Sequence, residues 1–338
     1  MPMPIEFTTL DSVAALSNSL PKADSGSISA ARDRQSQLTK PPGSLVALED
    51  IAVFMAGWQR RDRPQIERAQ ALVFAGNHGI CDQGVNPFPQ AVTAQMVANF
   101  QAGGAAINQL CAANGAELSV VSLALDTPTR DFTQAPAMTE AETLEAMTTG
   151  ANAVSDATDI LLLGEMGIGN STIAAALATA CFGGAPEDWV GAGTGSDADG
   201  MALKARVIAE GLARHQTTNP MQALATFGGR EQAAICGATL AARAANIPVL
   251  LDGYICTAAV APLYATDPSL LDHCLVGHAS AEPGHRKLLD AMSKTPVLDF
   301  AMRLGEGTGA ALALGIVRSA LACHNGMATF AEAGVSGG

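Results

Sequence analysis

Two glutamates stand apart because each sits alone among glycines. Glu306 lies in Leu304-Gly-Glu-Gly-Thr-Gly309, and Glu165 lies in Gly164-Glu-Met-Gly-Ile-Gly-Asn170. A carboxyl group with apolar flanks and little positive charge nearby is held toward its protonated form, which suits general-base work near neutral pH. A glutamate at a helix start also complements the helix dipole, so Glu306 taken alone has two readings. Glu165, in similar surroundings, makes a pair of carboxyls available.

The same glycines suit an anion. Residues 164–170 are followed by Ser171-Thr172 and an Ala-rich helical stretch. Glycines let the backbone approach a phosphate, and a helix N-terminus presents free N–H groups and partial positive charge. A tight strand–helix turn capped by Ser171 accounts for this loop equally well. A second loop, Gly191-Ala-Gly-Thr-Gly195-Ser-Asp197, precedes Lys204 in a helical stretch. With lysines scarce, Lys204 is a candidate counter-charge for phosphate, against the alternative of a solvated helix lysine.

Other chemistries lack their residues. No lysine follows the glycines as in a Walker A loop, and no acidic residue follows a first-strand GxGxxG at the distance a dinucleotide site needs. There is no GxSxG elbow for a serine hydrolase. Asp272-His273-Cys274 with His278 and His285, and His78 with Cys81 and Asp82, match no zinc spacing, so no metal site is expected. No pair of adjacent acidic residues precedes a Thr-Gly loop, which argues against a magnesium–pyrophosphate donor.

These loops need a scaffold that brings them together. From residue 71 the chain repeats an apolar strand, a Gly-rich loop and an Ala-rich helix. Strand-like runs occur at 71–75, 118–125, 159–163, 247–251, 274–276 and 297–302, and a last helix runs from the loop at 304–309 to about Cys323. Nearly continuous apolar strands alternating with helices predict a doubly wound α/β fold with a mostly parallel sheet. In such a fold every Gly-rich loop lies beyond the carboxyl ends of the strands, where ligands bind. Upstream, the spacing predicts a helix starting at Ser27 or Ser29 and another over 45–58 after the turn at 40–43. Residues 60–68 (RRDRPQIER) read as a solvated linker. The chain divides into an N-terminal helical segment (1–65), an α/β catalytic domain (66–323) and a C-terminal segment (324–338) that packs with the first in a smaller helical domain.

Composition sets the outer bounds. The chain has 338 residues, a net charge of −13 and 48% hydrophobic residues, with 34 Gly and 65 Ala. It is too apolar for disorder, and small residues let helices approach a sheet closely. Such acidity argues against nucleic-acid or anionic-membrane partners, yet the loops look built for an anion. No apolar run is long enough to span a membrane, and residues 1–16 lack the pattern of a signal peptide. Seven scattered cysteines without a CxxC pair fit free thiols in a reducing cytoplasm.

The ordered set of motifs is more specific than any one of them. Lys40-Pro-Pro-Gly-Ser-Leu45, Gly76-Asn-His-Gly79, Val85-Asn-Pro-Phe-Pro89, Val92-Thr-Ala-Gln-Met-Val97, Gly164-Glu-Met-Gly-Ile-Gly-Asn-Ser-Thr172, Ser280-Ala-Glu-Pro-Gly-His285 and Leu304-Gly-Glu-Gly-Thr-Gly309 follow one another. Over residues 38–335 the chain resembles the nicotinate-nucleotide–dimethylbenzimidazole phosphoribosyltransferase family. The resemblance implies a Rossmann-like fold, a homodimer, no cofactor, and transfer of phosphoribose from nicotinate mononucleotide to 5,6-dimethylbenzimidazole or a related base in cobalamin biosynthesis. It implies Glu306 as general base and Glu165 as a supporting carboxylate. Gly167, Gly169, Asn170, Gly193, Gly195 and Lys204 would hold phosphate and ribose, and Asp252 the ribose. Asn86, Phe88, Gln90 and Leu304 would line the pocket for the base. The chain departs from the family pattern at Asn77, where Asp is frequent, and at Ser171-Thr172-Ile173, where Thr-Thr-Pro is. The competing reading is a non-catalytic nucleotide sensor, which gains nothing from two carboxylates beside an anion.

Overall fold

Six strands pair in parallel in the order β2-β1-β3-β4-β5-β6. They are β1 (Ala69–Ala75), β2 (Ala116–Ser122), β3 (Ile160–Met166), β4 (Val249–Leu251), β5 (Cys274–His278) and β6 (Pro296–Leu298). The structure is a computed structural model and describes residues 5–193 and 195–336. β1 and β3 are apolar almost throughout because helices cover both faces of the sheet. β2, at an edge, alternates exposed and half-buried residues instead. The sheet is the predicted doubly wound α/β arrangement. Its strand order reverses between β1 and β3, and a crevice opens there at the carboxyl ends.

Two apolar cores flank the sheet. One is built on the helices Asn170–Phe182 and Arg230–Ala244, in which Ala174, Ala175, Ala176, Ala233 and Ala234 are enclosed. The other packs the helices Ala47–Gln59, Ala106–Asn114 and Thr308–Gly326 against the opposite face. Alanine lets a helix be enclosed on every side without large side chains holding its neighbours away. At the chain ends, Arg34 donates to the carbonyls of His324, Asn325 and Met327, and Leu38 bridges Thr329. No helix among the described residues is long and apolar enough to cross a membrane.

The structure moves several boundaries. β3 continues through Gly164, Glu165 and Met166, so Glu165 is a strand residue and its loop begins at Gly167. The strand holds this far because Gly164 lies against the Gly307 backbone, where a Cβ would stand 2.6 Å from the amide nitrogen. β5 likewise ends on His278. β2 begins at Ala116, ahead of the run read from 118. The last helix runs to Gly326, past the expected end at Cys323. The first long helix starts at Ser25, because Asp24 caps it by accepting from the Ser27 N–H at 2.7 Å.

The closest helix pair, Glu140–Asn152 against Arg230–Ala244, meets at two glycines. A Cβ on Gly150 would overlap the Ala234 carbonyl, and one on Gly237 the Met147 carbonyl. Gly237→Ala therefore lowers stability by about 1–3 kcal/mol through overpacking, although alanine is the better helix former. Thermal and urea unfolding check this; an unchanged midpoint would show that the two helices separate freely.

Candidate active site

The carboxyl ends of β3, β4, β5 and β6 converge on one cleft of about 790 Å³, open solvent included, which suits a small-molecule ligand. β3 contributes Glu165 and Met166, and β4 is followed by Asp252 and Gly253. β5 ends on His278, and residues 303–306 follow β6. Val85, Asn86 and Pro87, downstream of β1, close the remaining side.

Glu306 has a φ of +64°, between Gly305 at +80° and Gly307 at +85°. A glutamate rarely adopts this left-handed conformation, and it persists only where its surroundings impose it. Here the constraint is Asp252. Its Oδ2 accepts the Gly307 N–H at 3.1 Å and its Oδ1 the Ala310 N–H at 2.9 Å. Thr308 Oγ1 donates to the Gly305 carbonyl at 2.7 Å and tightens the same turn. The result is a carboxyl group at the cleft wall. Burial, with Asp252 adding to it, raises its pKa to about 7.

Glu165 is more deeply enclosed. Burial pushes its carboxyl well above the usual range, and Asp252, Glu231 and Glu306 add to that, while an N–H from the Asn170 side chain pulls the other way. The two glutamates are neighbours: a Cβ on Gly305 would stand 2.7 Å from Glu165 Oε1. Asp252 is itself pushed up by burial, against the pull of His278 and the backbone N–H groups of Gly307, Gly309 and Ala310.

The same lining carries two cations. Lys204, only 3% exposed, places Nζ 3.2 Å from Ser171 Oγ and 3.2 Å from the Gly191 carbonyl. Burial lowers its pKa and Glu282 opposes that. Gly193 turns at a φ of +56° beside it, donates its N–H to Glu282 Oε1 at 3.0 Å, and accepts from Arg303 at 2.8 Å. The helix Asn170–Phe182 opens here with Gly169 at its N-cap and no side-chain cap, so the capping role considered for Ser171 is not used. An uncapped helix start beside a lysine and an arginine can hold an anion.

Of the residues singled out by sequence, Asn86, Gly167, Gly169, Asn170, Gly193, Lys204, Asp252 and Leu304 line the cleft with Glu165 and Glu306. Phe88, Gln90 and Gly195 do not. Phe88 is 47% exposed, its carbonyl accepts from the Asn86 side chain at 2.5 Å, and Gln90 begins the helix Ala91–Gln101, so the chain leaves the cleft after Pro87. Gly195 lies beyond the Gly193 turn, and Thr194 between them falls outside the described residues. Both Asp252 oxygens face backbone N–H groups of the Glu306 turn. Of the three histidines, His273, just ahead of β5, bonds the Thr239 carbonyl and stands apart, whereas His278 closes that strand with its ring 6.5 Å from that of His285. Sequence reasoning gave no role to His278, Glu282 or Arg303, nor to the His78–Glu231 contact of 2.7 Å beneath Gly167. The motifs Gly76-Asn-His-Gly79 and Ser280-Ala-Glu-Pro-Gly-His285 were the signal for His78 and Glu282.

Comparisons with known proteins agree with this geometry. A family model described as phosphoribosyltransferase matches residues 20–335. The nicotinate-nucleotide–dimethylbenzimidazole phosphoribosyltransferase of Rhodobacter capsulatus is 60% identical over 332 residues, covering 98% of this chain and 99% of the relative. That of Brucella anthropi is 54% identical over 97% of both chains. The crystal structure of the Thermus thermophilus protein of the same name superposes with a TM-score of 0.87 at 39% identity, covering 93% of this chain and all of that one.

Because Lys204 is the buried cation beside the helix start, Lys204→Met should weaken binding of inorganic phosphate and of a nucleoside monophosphate by about 10- to 100-fold, the worth of one charge-assisted hydrogen bond. Isothermal titration of each anion reads this out, and equal affinity in the variant would place the anion elsewhere.

Proposed function

This chain belongs to the nicotinate-nucleotide–dimethylbenzimidazole phosphoribosyltransferase family, and on that premise we propose that it transfers phosphoribose from nicotinate mononucleotide to 5,6-dimethylbenzimidazole or a related base. The products are α-ribazole 5′-phosphate and nicotinate, within cobalamin biosynthesis. One observation carries the reading: a single cleft holds both the cations Lys204 and Arg303 beside an uncapped helix start and a carboxyl with a pKa of about 7 on a strained turn.

In this reading Lys204, Gly193 and the helix start at Gly167, Gly169 and Asn170 receive the phosphate and ribose. The azole lies against Asn86 and Leu304, with its ring N–H toward Glu306. Glu306 takes that proton, which makes the azole's other ring nitrogen more nucleophilic, and the in-plane lone pair of that nitrogen attacks C1′ from the face opposite nicotinate, which converts a β to an α linkage. The C1′–N bond breaks with its electron pair going to the pyridinium nitrogen. That nitrogen is already cationic, so departure neutralises it and needs no proton. Positive charge gathers on the sugar ring as the bond breaks, and a carboxylate-rich wall stabilises it. Glu165, held toward its protonated form, supports the sugar without placing a second full negative charge beside Glu306.

The sign of the pH dependence follows. Only ionised Glu306 can accept the proton, so kcat/KM rises with pH, bends near pH 7 and falls about tenfold per unit on the acidic side. Glu306→Gln lowers kcat by about 10²- to 10⁴-fold with little change in KM for the nucleotide. Release of nicotinate, followed by chromatography from nicotinate mononucleotide and dimethylbenzimidazole, checks both. No release with any of a panel of azoles would sink the reading.

A further inference from the structure

His278 is the one imidazole on the cleft wall, and neither of its ring nitrogens has a hydrogen-bond partner among the described residues. It is 1% exposed. Asp252 Oδ1 lies 3.7 Å from its Nε2. Two glycines from different loops make room for the ring: a Cβ on Gly253 would stand 2.6 Å from Nε2, and one on Gly309 would overlap Cδ2. Gly253 follows Asp252 directly, and Gly309 lies in the first turn of the helix that Glu306 precedes. The imidazole is thus wedged between the residue that clamps the Glu306 turn and the helix start being clamped.

We propose that Asp252 and His278 act together as a positioning pair for Glu306: Asp252 fixes the left-handed turn, and His278, as an imidazolium, offsets part of the Asp252 charge. The inference rests on Glu306 as the proposed base, but it concerns the place and charge of that carboxyl whether or not it takes the proton. The Asp252 carboxylate is the charged group that faces Nε2, and a buried carboxylate at that distance favours a cationic partner. His285, whose ring lies 6.5 Å away, uses Nδ1 to accept the Ser280 N–H and Nε2 toward Thr257 Oγ1. Burial drives its pKa down to about 3.

The other groups facing the turn are mostly acidic. Glu165 comes from β3, with Glu231 and its partner His78 behind it, and Arg303 stands on the turn's own loop. The Cys256 thiol beside Asp252 is protonated and donates to the Leu163 carbonyl. Glu306 therefore sees an Asp252 charge that His278 offsets only in part. Loss of the imidazolium leaves Asp252 uncompensated, and Glu306 holds its proton more tightly. Loss of the Asp252 charge does the reverse. A histidine that merely fills space produces neither shift.

The test titrates the Glu306 carboxyl by NMR of full-length protein labelled with ¹³C-carboxyl glutamate, the signal being assigned by its loss in Glu306→Gln. His278→Asn and His278→Gln should each raise the midpoint by about one unit, and Asp252→Asn should lower it by about one. Two His278 variants guard against one failing to fold, which circular dichroism checks. A midpoint unmoved or lowered in the folded His278 variants overturns the proposal, as does a shift in the same direction for His278 and Asp252 variants. Turnover of Glu306→Gln is measured alongside. If it stays at the parent rate, the base assignment falls while the titration still decides the pair.

Discussion

The site hangs on one carboxylate whose two oxygens are both engaged by the backbone of the neighbouring turn and helix. Asp252, at the end of β4, accepts the N–H groups of Gly307 and Ala310 and so occupies the N-terminus of the last long helix. A negative charge there is favoured by the helix dipole and by otherwise unpaired donors. Those bonds impose a left-handed Glu306 between two left-handed glycines. The same charge raises the proton affinity of the glutamate it positions. Burial is the larger cause of that raised affinity, so Asp252 sets the placement of the carboxyl and a smaller part of its acidity.

An acidic chain that holds an anion is no contradiction once charges are located. Of the 19 basic residues, Lys204 and Arg303 reach the cleft, and the remaining attraction comes from backbone N–H groups at an uncapped helix start. Dipoles fixed in the scaffold cost little reorganisation when a phosphate arrives. Against them stand Glu165, Asp252, Glu282 and Glu306 in the same lining. Carboxyls in such number repel a dianion unless burial keeps some protonated, and burial is the leading cause of the upward shift in each. Burial thus lets one cleft serve a phosphate and a cationic sugar carbon.

What the sequence made legible follows from what has a local signature. Apolar runs and glycines report strands and their ends, so the parallel sheet and the gathering of Gly-rich loops at one edge could be read directly. Boundaries slipped where a tertiary contact overrode local chemistry: Gly164 and Gly277 look like loop residues, yet each is a strand residue pressed against the last helix. The resemblance grouped Phe88 and Gln90 with Asn86, and nothing local in the sequence tells that, of the three, Asn86 is the one that lines the cleft. His278 had no local signature at all. Its meaning depends on Gly253 and Gly309, which lie 25 and 31 residues away and leave room for it only in the folded chain.

The phosphate cradle and the Glu306 turn are also mechanically joined. Arg303, one residue before Leu304, donates to the Gly193 carbonyl at 2.8 Å, and Glu282 accepts the Gly193 N–H at 3.0 Å. The loop beside the phosphate cradle is thereby tied to the turn that carries Glu306. The reacting sugar carbon lies between these two in the proposed reaction, so its alignment with the attacking nitrogen depends on their separation staying fixed. Misplacement of about 1 Å can reduce a rate about a hundredfold. A structure that ties its binding loop to the turn bearing Glu306 through the Arg303–Gly193 hydrogen bond meets that demand with a direct span rather than with added affinity.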